Sequence, residues 1–420
     1  MNTLIRNVLI KNKRTDILIK GNRIAKIASN INEPADNIIN GTGKLAMPGL
    51  MNAHTHAAMT LLRGYSDDLP VKEWLETKIW PLEATLTEED VYWGAKLACL
   101  EMIRTGTTFF NDMYWHYHGT ARAVDEMGLR ATISPVFLDF FNPEQARQHR
   151  RNNEQWFTEI DQFSDRVQFI FGPHAVYSVS PESLRWIREF ANEKKVKIHI
   201  HLSETEQEVR DCIKMSGKRP VEYLDELGFL GSDVLAAHAI WLNEREMDIL
   251  KDQQVNVIHN PISNMKLSSG IFKYSKVRDK GIRVLLGTDG CASNNNLDMF
   301  EEMKIASILD KLISGDPTSM PPSEVLDMAT INAAQAFDLN CGESKEGKLA
   351  DLILINLKSA SMTPLYHAES NLVYSMNGYN VDTTICDGKI LMQNGVIPGE
   401  PEILEKVSEI AYKLILSKPN

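Results

Sequence analysis

Between residues 46 and 289 the chain repeats one arrangement eight times: a short, almost wholly apolar run, then a stretch with helical spacing. The runs fall at 46–54, 107–113, 131–138, 167–174, 197–203, 234–240, 255–260 and 283–289. Runs this short and this continuously apolar predict strands buried on both faces, and helical crossovers between them predict parallel pairing. Stretches such as Glu88 to Arg104, Pro181 to Lys195 and Arg219 to Leu227 supply the crossovers. Eight such units predict an α/β fold built on a (β/α)8 TIM barrel, which takes about 250 residues or more. The alternative is an open doubly wound sheet, which binds phosphates through a glycine-rich loop after a strand. No such loop follows any of the runs.

Both chain ends read differently. Asp16-Ile-Leu-Ile-Lys20, Gly21-Asn22 and Arg23-Ile-Ala-Lys-Ile27 form a hairpin pattern, because Gly-Asn suits a two-residue turn. Leu349 to Asn356 and Val381 to Met392 are strand-like as well. Neither end is long enough to bury a core alone. We expect them to meet in one small sheet domain, residues 1–48 with 351–420, the second part ending in a helix. It would flank a barrel of residues 49–350.

Composition narrows the partners. The 420 residues carry a net charge of −11 with scattered basic side chains, which argues against nucleic-acid binding. No apolar run is long enough to span a bilayer, so no membrane partner is expected. The N-terminal segment soon meets charge and lacks a small-residue cleavage site, and reads as no signal peptide. Cys99, Cys212, Cys291, Cys341 and Cys386 are odd in number and form no CxxC pair, which fits a reducing, cytoplasmic location.

In a barrel, reactive groups come from the C-terminal ends of several strands. Here the runs end in His54 and His56, Asp112, Asp139, His174, His201, His238, His259 and Asp289. His54 and His56 stand two apart on a strand, so they share one face. With His201 and Asp289 they form a three-nitrogen, one-oxygen ligand set suited to Zn2+, with Fe2+ or Mn2+ as alternatives. Such an ion would acidify a bound water. Strand four, Phe169 to His174, offers no lysine that could become a carboxylated bridge, so one divalent ion is expected. His199, on the same strand face as His201, is expected to be an ordinary buried histidine. Glu204 is three residues past His201 and can act as proton donor and then acceptor. His238 would hold the attacking water and Asp289 would take its proton, making Glu204, His238 and Asp289 the catalytic set.

These residues resemble the amidohydrolase superfamily, in its metal-dependent aminohydrolase branch. Within that branch the chain is similar to the 5-methylthioadenosine/S-adenosylhomocysteine deaminases. The likeness runs over nearly the whole chain. It is carried by Pro48 to His56, Trp80-Pro-Leu-Glu83, Gly172-Pro-His174, His201-Leu-Ser-Glu-Thr205, His259-Asn-Pro-Ile-Ser-Asn264, Gly287-Thr-Asp-Gly290 with Ser293-Asn-Asn, and Gly347 to Leu352. The resemblance implies a barrel flanked by a small β-sandwich made from both chain ends. It implies that Glu83 binds the ribose hydroxyls, His174 the purine ring and Glu204 the N1 atom of adenine, with Asp289 also at the substrate. It further suggests an arginine at the amino-acid tail of the substrate, for which Arg147, Arg150 and Arg151 are candidates, and Trp74 as a pocket wall. A zinc deaminase of the cytidine type is excluded, because no Pro-Cys-x-x-Cys is present.

The expected reaction is hydrolytic deamination of an adenosine-type nucleoside, 5-methylthioadenosine or S-adenosylhomocysteine, to the inosyl product and ammonia. Alternatives are 5′-deoxyadenosine, adenosine, guanine, a pterin or an s-triazine as substrate, or a scaffold that has lost catalysis. Glu83 with His174 favours a nucleoside over a bare base. A homo-oligomer is expected.

Overall fold

The computed structural model describes residues 2–416. Its centre is a ring of eight parallel strand positions. In order these are Leu50–Thr55, Thr107–Tyr114, Arg130–Phe137, Val167–Phe169 continuing as Gly172–Pro173, Ile198–Leu202, Val234–His238, Asn256–His259 and Val284–Leu286. The pairing is parallel throughout. Nearly every strand residue is buried, as expected where helices cover one face and packed side chains fill the other. The fourth strand joins the fifth through Phe171 and Ile198. The eighth closes on the first: the Asp289 amide donates to the His54 carbonyl at 2.9 Å, and the Asn52 side chain donates to the Thr288 hydroxyl and accepts from the Thr288 backbone amide.

Local chemistry sets the crossover helices. Thr87 and Asp90 form a reciprocal capping box at the start of Glu88–Arg104. Asn142, Ser180, Thr205 and Asn243 cap the helices that follow them. Gly128 and Gly217 end their helices at φ 84° and 75°, a left-handed conformation that favours glycine.

Eight strands from the two chain ends form one mixed sheet. Lys44–Pro48 pairs antiparallel with Leu352–Asn356 and parallel with Asn2–Ile10. The sheet bends back on itself, since the Gly21–Asn22 turn meets the Asp387–Gly388 turn through an Asn22–Asp387 hydrogen bond of 3.1 Å. A separate apolar cluster, including Ile5, Ile17, Ile39, Leu352 and Ile385, lies within this region. Arg130 of the third barrel strand ties the two parts together by pairing with Asp351 and Asp387. The last helix, Glu400–Leu416, packs near Glu88–Arg104, with Arg104 bound to Glu400; residues 417–420 of the expected terminal region lie outside the described residues.

One expectation needs correcting. The run 46–54 is not one strand. Lys44–Pro48 belongs to the terminal sheet and Leu50–Thr55 to the barrel. Gly49 is the step between them, and its backbone passes so near Thr108 that a Cβ there would sit 2.2 Å from the Thr108 hydroxyl. Apolar patterning is the same in both sheets, so it carries no mark of the change.

Candidate metal centre

Four histidines and one carboxylate converge at the C-terminal mouth of the barrel. His54 and His56 leave the first strand, His201 the fifth and His238 the sixth, and Asp289 follows the eighth. His54 Nε2 lies 3.3 Å and His56 Nε2 3.2 Å from Asp289 Oδ1. The Nε2 atoms of His201 and His56 are 3.4 Å apart. Ligand atoms of His54, His201 and His238, and of His54, His56 and Asp289, lie within 4.8 Å of one another.

Each imidazole is fixed through its other nitrogen. His56 Nδ1 donates to the Met113 carbonyl at 2.6 Å, and His201 Nδ1 to the His174 carbonyl at 2.8 Å. His238 Nδ1 faces Asn264 Oδ1 at 2.9 Å. His54 Nδ1 faces His199 Nε2 at 2.8 Å. A neutral ring has one donor and one acceptor nitrogen, so a proton on Nδ1 leaves Nε2 with a lone pair. Four lone pairs therefore point at one spot. His54 Nε2 is buried and has no hydrogen-bond partner. Asp289 is held by the Ser263 hydroxyl at 2.6 Å, Ser293 at 3.0 Å and the Gly290 amide at 2.9 Å. Burial pushes its carboxyl up, but His54 and His56 more than reverse this and keep it well below the ordinary range. Burial holds His54 down at about 4, whereas the Asp289 carboxylate overcomes burial at His56 and raises it to about 9. That rise is the mark of the Asp289 charge, which a cation held at the same spot would balance instead. Neutral nitrogen donors, an ionised carboxylate and an orphaned buried Nε2 together fit a divalent metal ion.

The backbone bends sharply where it delivers these groups. Ser203, His238, Ala239 and Asp289 all have positive φ, between 47° and 69°. Such residues are strained, and strain of this kind gathers where a site over-determines the backbone.

A cleft opens over the centre, lined by His56, His174, His201, His238 and Asp289 on its floor, and by Glu83, Glu204, Trp74 and Trp80 on its sides. Glu204 Oε1 accepts from the Ser269 hydroxyl at 3.1 Å, and its Oε2 stands 3.9 Å from His238 Nε2. Its backbone is pinned by Glu208, whose carboxylate accepts from the Ser203 and Glu204 amides at 2.8 Å each. Glu83 is buried; Oε2 accepts from the Trp115 indole at 3.3 Å and Oε1 has no partner. Burial raises its carboxyl above the usual range. His174 accepts or donates at Ser178, 2.9 Å away, and its ring meets those of Trp80 and Tyr177 edge-on.

Several expected rim groups stand elsewhere. Asp112 accepts from the Ala57 amide at 2.6 Å and from Thr55, so it fixes the loop behind His56. Asp139 holds Phe141 and Ser180. His259 stacks on Phe272 with centroids 4.4 Å apart. None of the three lines the cleft. Nor does an arginine: Arg147 pairs with Glu144, Arg151 with Gln148, and Arg150 lies over Trp186. His199 is fully buried, as expected, and its ring also contacts His54. Ser134 and Glu208 carry no local pattern that would single them out; Ser263, Asn264 and Ser293 sit within motifs, but only folding shows their partners.

The amidohydrolase family model matches residues 45–391, most of the chain. The chain belongs to the amidohydrolase family. Among amidohydrolase relatives, a Methanoregula boonei protein named 5′-deoxyadenosine deaminase is 50% identical over 91% of this chain and 87% of its own. A Thermococcus sibiricus protein named 5-methylthioadenosine/S-adenosylhomocysteine deaminase is 48% identical over 90% of each. A Xanthomonas campestris adenosine deaminase, whose crystal structure holds bound zinc, superposes with a TM-score of 0.93 at 30% identity, covering 99% of this chain and 98% of that one.

Proposed function

We propose that this amidohydrolase deaminates an adenosine-type nucleoside by hydrolysis, with His54, His56, His201 and Asp289 holding one divalent ion, of which Zn2+ suits the donor set. The observation that carries the reading is the convergence of those groups at the floor of a cleft whose sides hold two further carboxylates, Glu204 and Glu83. The three relatives described above are named as adenosine-type deaminases, which points the same way. Bound there, the ion supplies Lewis acidity that lowers the pKa of a water it holds. Asp289 takes a proton from the attacking water at Oδ1, which faces the two histidines. His238 Nε2 orients that water. Glu204 protonates the ring nitrogen N1 as the oxygen adds to C6 and then takes back the proton of the new C6 hydroxyl, while Asp289 passes the water's proton to the departing amine, so both carboxyls end as they began. Water and the amine give the inosyl product and ammonia. His174 and Trp80 would pack on the purine, and the free Oε1 of Glu83 would accept from the ribose hydroxyls.

Beyond Glu83 the cleft continues into a space walled by Trp115, Tyr117, Leu138, Phe140 and Trp156. His116, His118 and Glu88 line it as well, but its aromatic side chains suit an apolar 5′ substituent, such as a 5′-methyl or methylthio group, and no arginine or lysine is among its lining residues to meet a carboxylate tail. Loss of adenine absorbance across 5′-deoxyadenosine, 5-methylthioadenosine, adenosine and S-adenosylhomocysteine tests the reading, beside guanine as a bare base. The two substrates with apolar substituents, 5′-deoxyadenosine and 5-methylthioadenosine, should lead in kcat/KM. Metal analysis should return about one ion per chain, and stripping should abolish turnover. Two stoichiometric ions, or turnover of guanine alone, would overturn it. The five cysteines are free and buried, which supports a reducing cytoplasm as its location. A homo-oligomeric state remains part of the proposal, to be read by light scattering. Among the described residues no helix is long and apolar enough to cross a membrane.

A further inference from the structure

We propose that His199 is a positioning residue of the metal centre, one that fixes the tautomer and ring orientation of His54. The inference rests on the metal-site reading above. Two of the converging histidines are anchored to main-chain carbonyls, which can only accept: Met113 for His56 and His174 for His201; His238 Nδ1 lies between Asn264 Oδ1 at 2.9 Å and Asn260 Nδ2 at 3.3 Å. His54 alone is anchored to a second imidazole, His199, at 2.8 Å. Whether that ring accepts or donates depends on its own far nitrogen.

That far nitrogen has a defined partner. His199 Nδ1 lies 3.2 Å from the Ser134 hydroxyl, and Ser134 gives its proton to the Asp112 carbonyl. With its proton committed there, Ser134 Oγ can only accept from His199, so the His199 proton sits on Nδ1. His199 Nε2 then accepts from His54 Nδ1, and His54 Nε2 is left bare toward the other ligands. The chain Asp112 carbonyl, Ser134, His199, His54 is thus a line of three hydrogen bonds with one direction. All four residues are fully buried, so no water competes for the partners. The rings of His54 and His199 meet nearly edge-on, with an interplanar angle of 78°, which aims the His54 Nδ1–H at the His199 lone pair. Reversing any proton in the line would put a hydrogen on His54 Nε2 and remove it as a ligand.

Partners of metal-binding imidazoles typically change metal affinity about 10–100-fold when lost. His199→Phe keeps a ring of similar shape but offers no acceptor. It should weaken Zn2+ binding by about that factor in a competition against a chelator, and should shift the visible spectrum of the Co2+-loaded protein. His199→Gln, which can still accept from His54, should recover part of the affinity. Ser134→Ala frees the His199 proton and should cost several-fold. Long-range proton–nitrogen spectra of the wild-type zinc form should place the His54 proton on Nδ1. A role in packing alone would lower the melting temperature of the metal-free protein while leaving affinity and the cobalt spectrum unchanged, and that result overturns the inference. If His199→Phe is insoluble, Ser134→Ala decides: a several-fold loss supports the relay and unchanged affinity overturns it. Failure of the wild-type protein to bind a metal at all would instead sink the metal-site reading.

Discussion

Glu204 and Glu83 are both carboxylates in one cleft, yet their surroundings assign them different work. Glu204 faces His238 and its carboxylate is held by Ser269, which places it for the proton transfers proposed above. Glu204→Gln keeps the acceptor for Ser269 and removes the proton cycle. General acid–base catalysis is worth ~10²–10⁴-fold, so kcat should fall by that order with metal content unchanged. Near-normal kcat would reduce Glu204 to a charge ahead of a helix. Glu83 is buried with one oxygen unpaired, a state that costs free energy unless a ligand satisfies it. Glu83→Ala should lower kcat/KM for a ribosyl substrate roughly ten- to a hundred-fold, from the ~1.5–3 kcal/mol of hydrogen bonds to a charged group. The penalty should largely vanish for a 2′,3′-dideoxy substrate; equal losses on both would remove the ribose contact from the proposal. The groups that converge here were readable in the sequence because each ends a strand-like run, and strand ends share one rim. What holds those groups was not. His199 reaches a partner 145 positions away, and strand period says only which face a residue shares. The arginines of 147–151 failed for the converse reason: a helix displays charge outward, and nothing in their spacing separates a solvated face from a lining one.

At the level of elements, spacing and capping residues located strands and helices well, since burial on both faces and N-cap chemistry are local. The step from one sheet to the other at Gly49 escaped because it depends on Thr108, a residue of the next strand. A side chain at 49 would have to displace that buried threonine or the strand that carries it. Overpacking of this kind typically costs ~1–3 kcal/mol. Gly49→Ala should therefore lower the urea midpoint of unfolding by a corresponding amount, and an unchanged midpoint would mean that the two sheets can slide apart at this joint. The loop after the fifth strand is tied in a similar way by Glu208, whose carboxyl burial pushes up to about 7 against the pull of the Ser203 and Glu204 amides. Its native form keeps a proton that the unfolded chain releases near its ordinary value of about 4.5. The stability this group contributes is fully present below that value and is lost as pH rises toward 7. Unfolding free energy measured at pH 5 and pH 7.5 should fall less in Glu208→Gln than in the wild-type protein; identical slopes would show that Glu208 does not titrate in this window.

The whole molecule is a barrel completed by strands from its two ends, and the two parts share Arg130 with its carboxylate partners Asp351 and Asp387. The sequence announced strands at both ends and, since each end is too short to fold alone, their meeting in one small sheet; it did not say which strand pairs with which. That depends on pairings between positions at opposite ends of the chain. Arg130→Met should destabilise the protein in urea, because it strands two partly or fully buried carboxylates, and an unchanged midpoint would mean that the parts adhere by apolar contact alone. The pairing of Lys44–Pro48 with Leu352–Asn356 also has a meaning in time. A ribosome makes roughly 5–20 residues each second, and the partner strand comes about 300 residues later, so this edge waits unpaired for roughly 15–60 s during synthesis. An open strand edge is a template for joining another chain, and charge or proline along it discourages that. Lys44 and Pro48 stand at the two ends of the waiting edge. A nascent chain of this protein therefore spends most of its synthesis with its first domain unfinished, and the last strands to emerge are the ones that retire the risk.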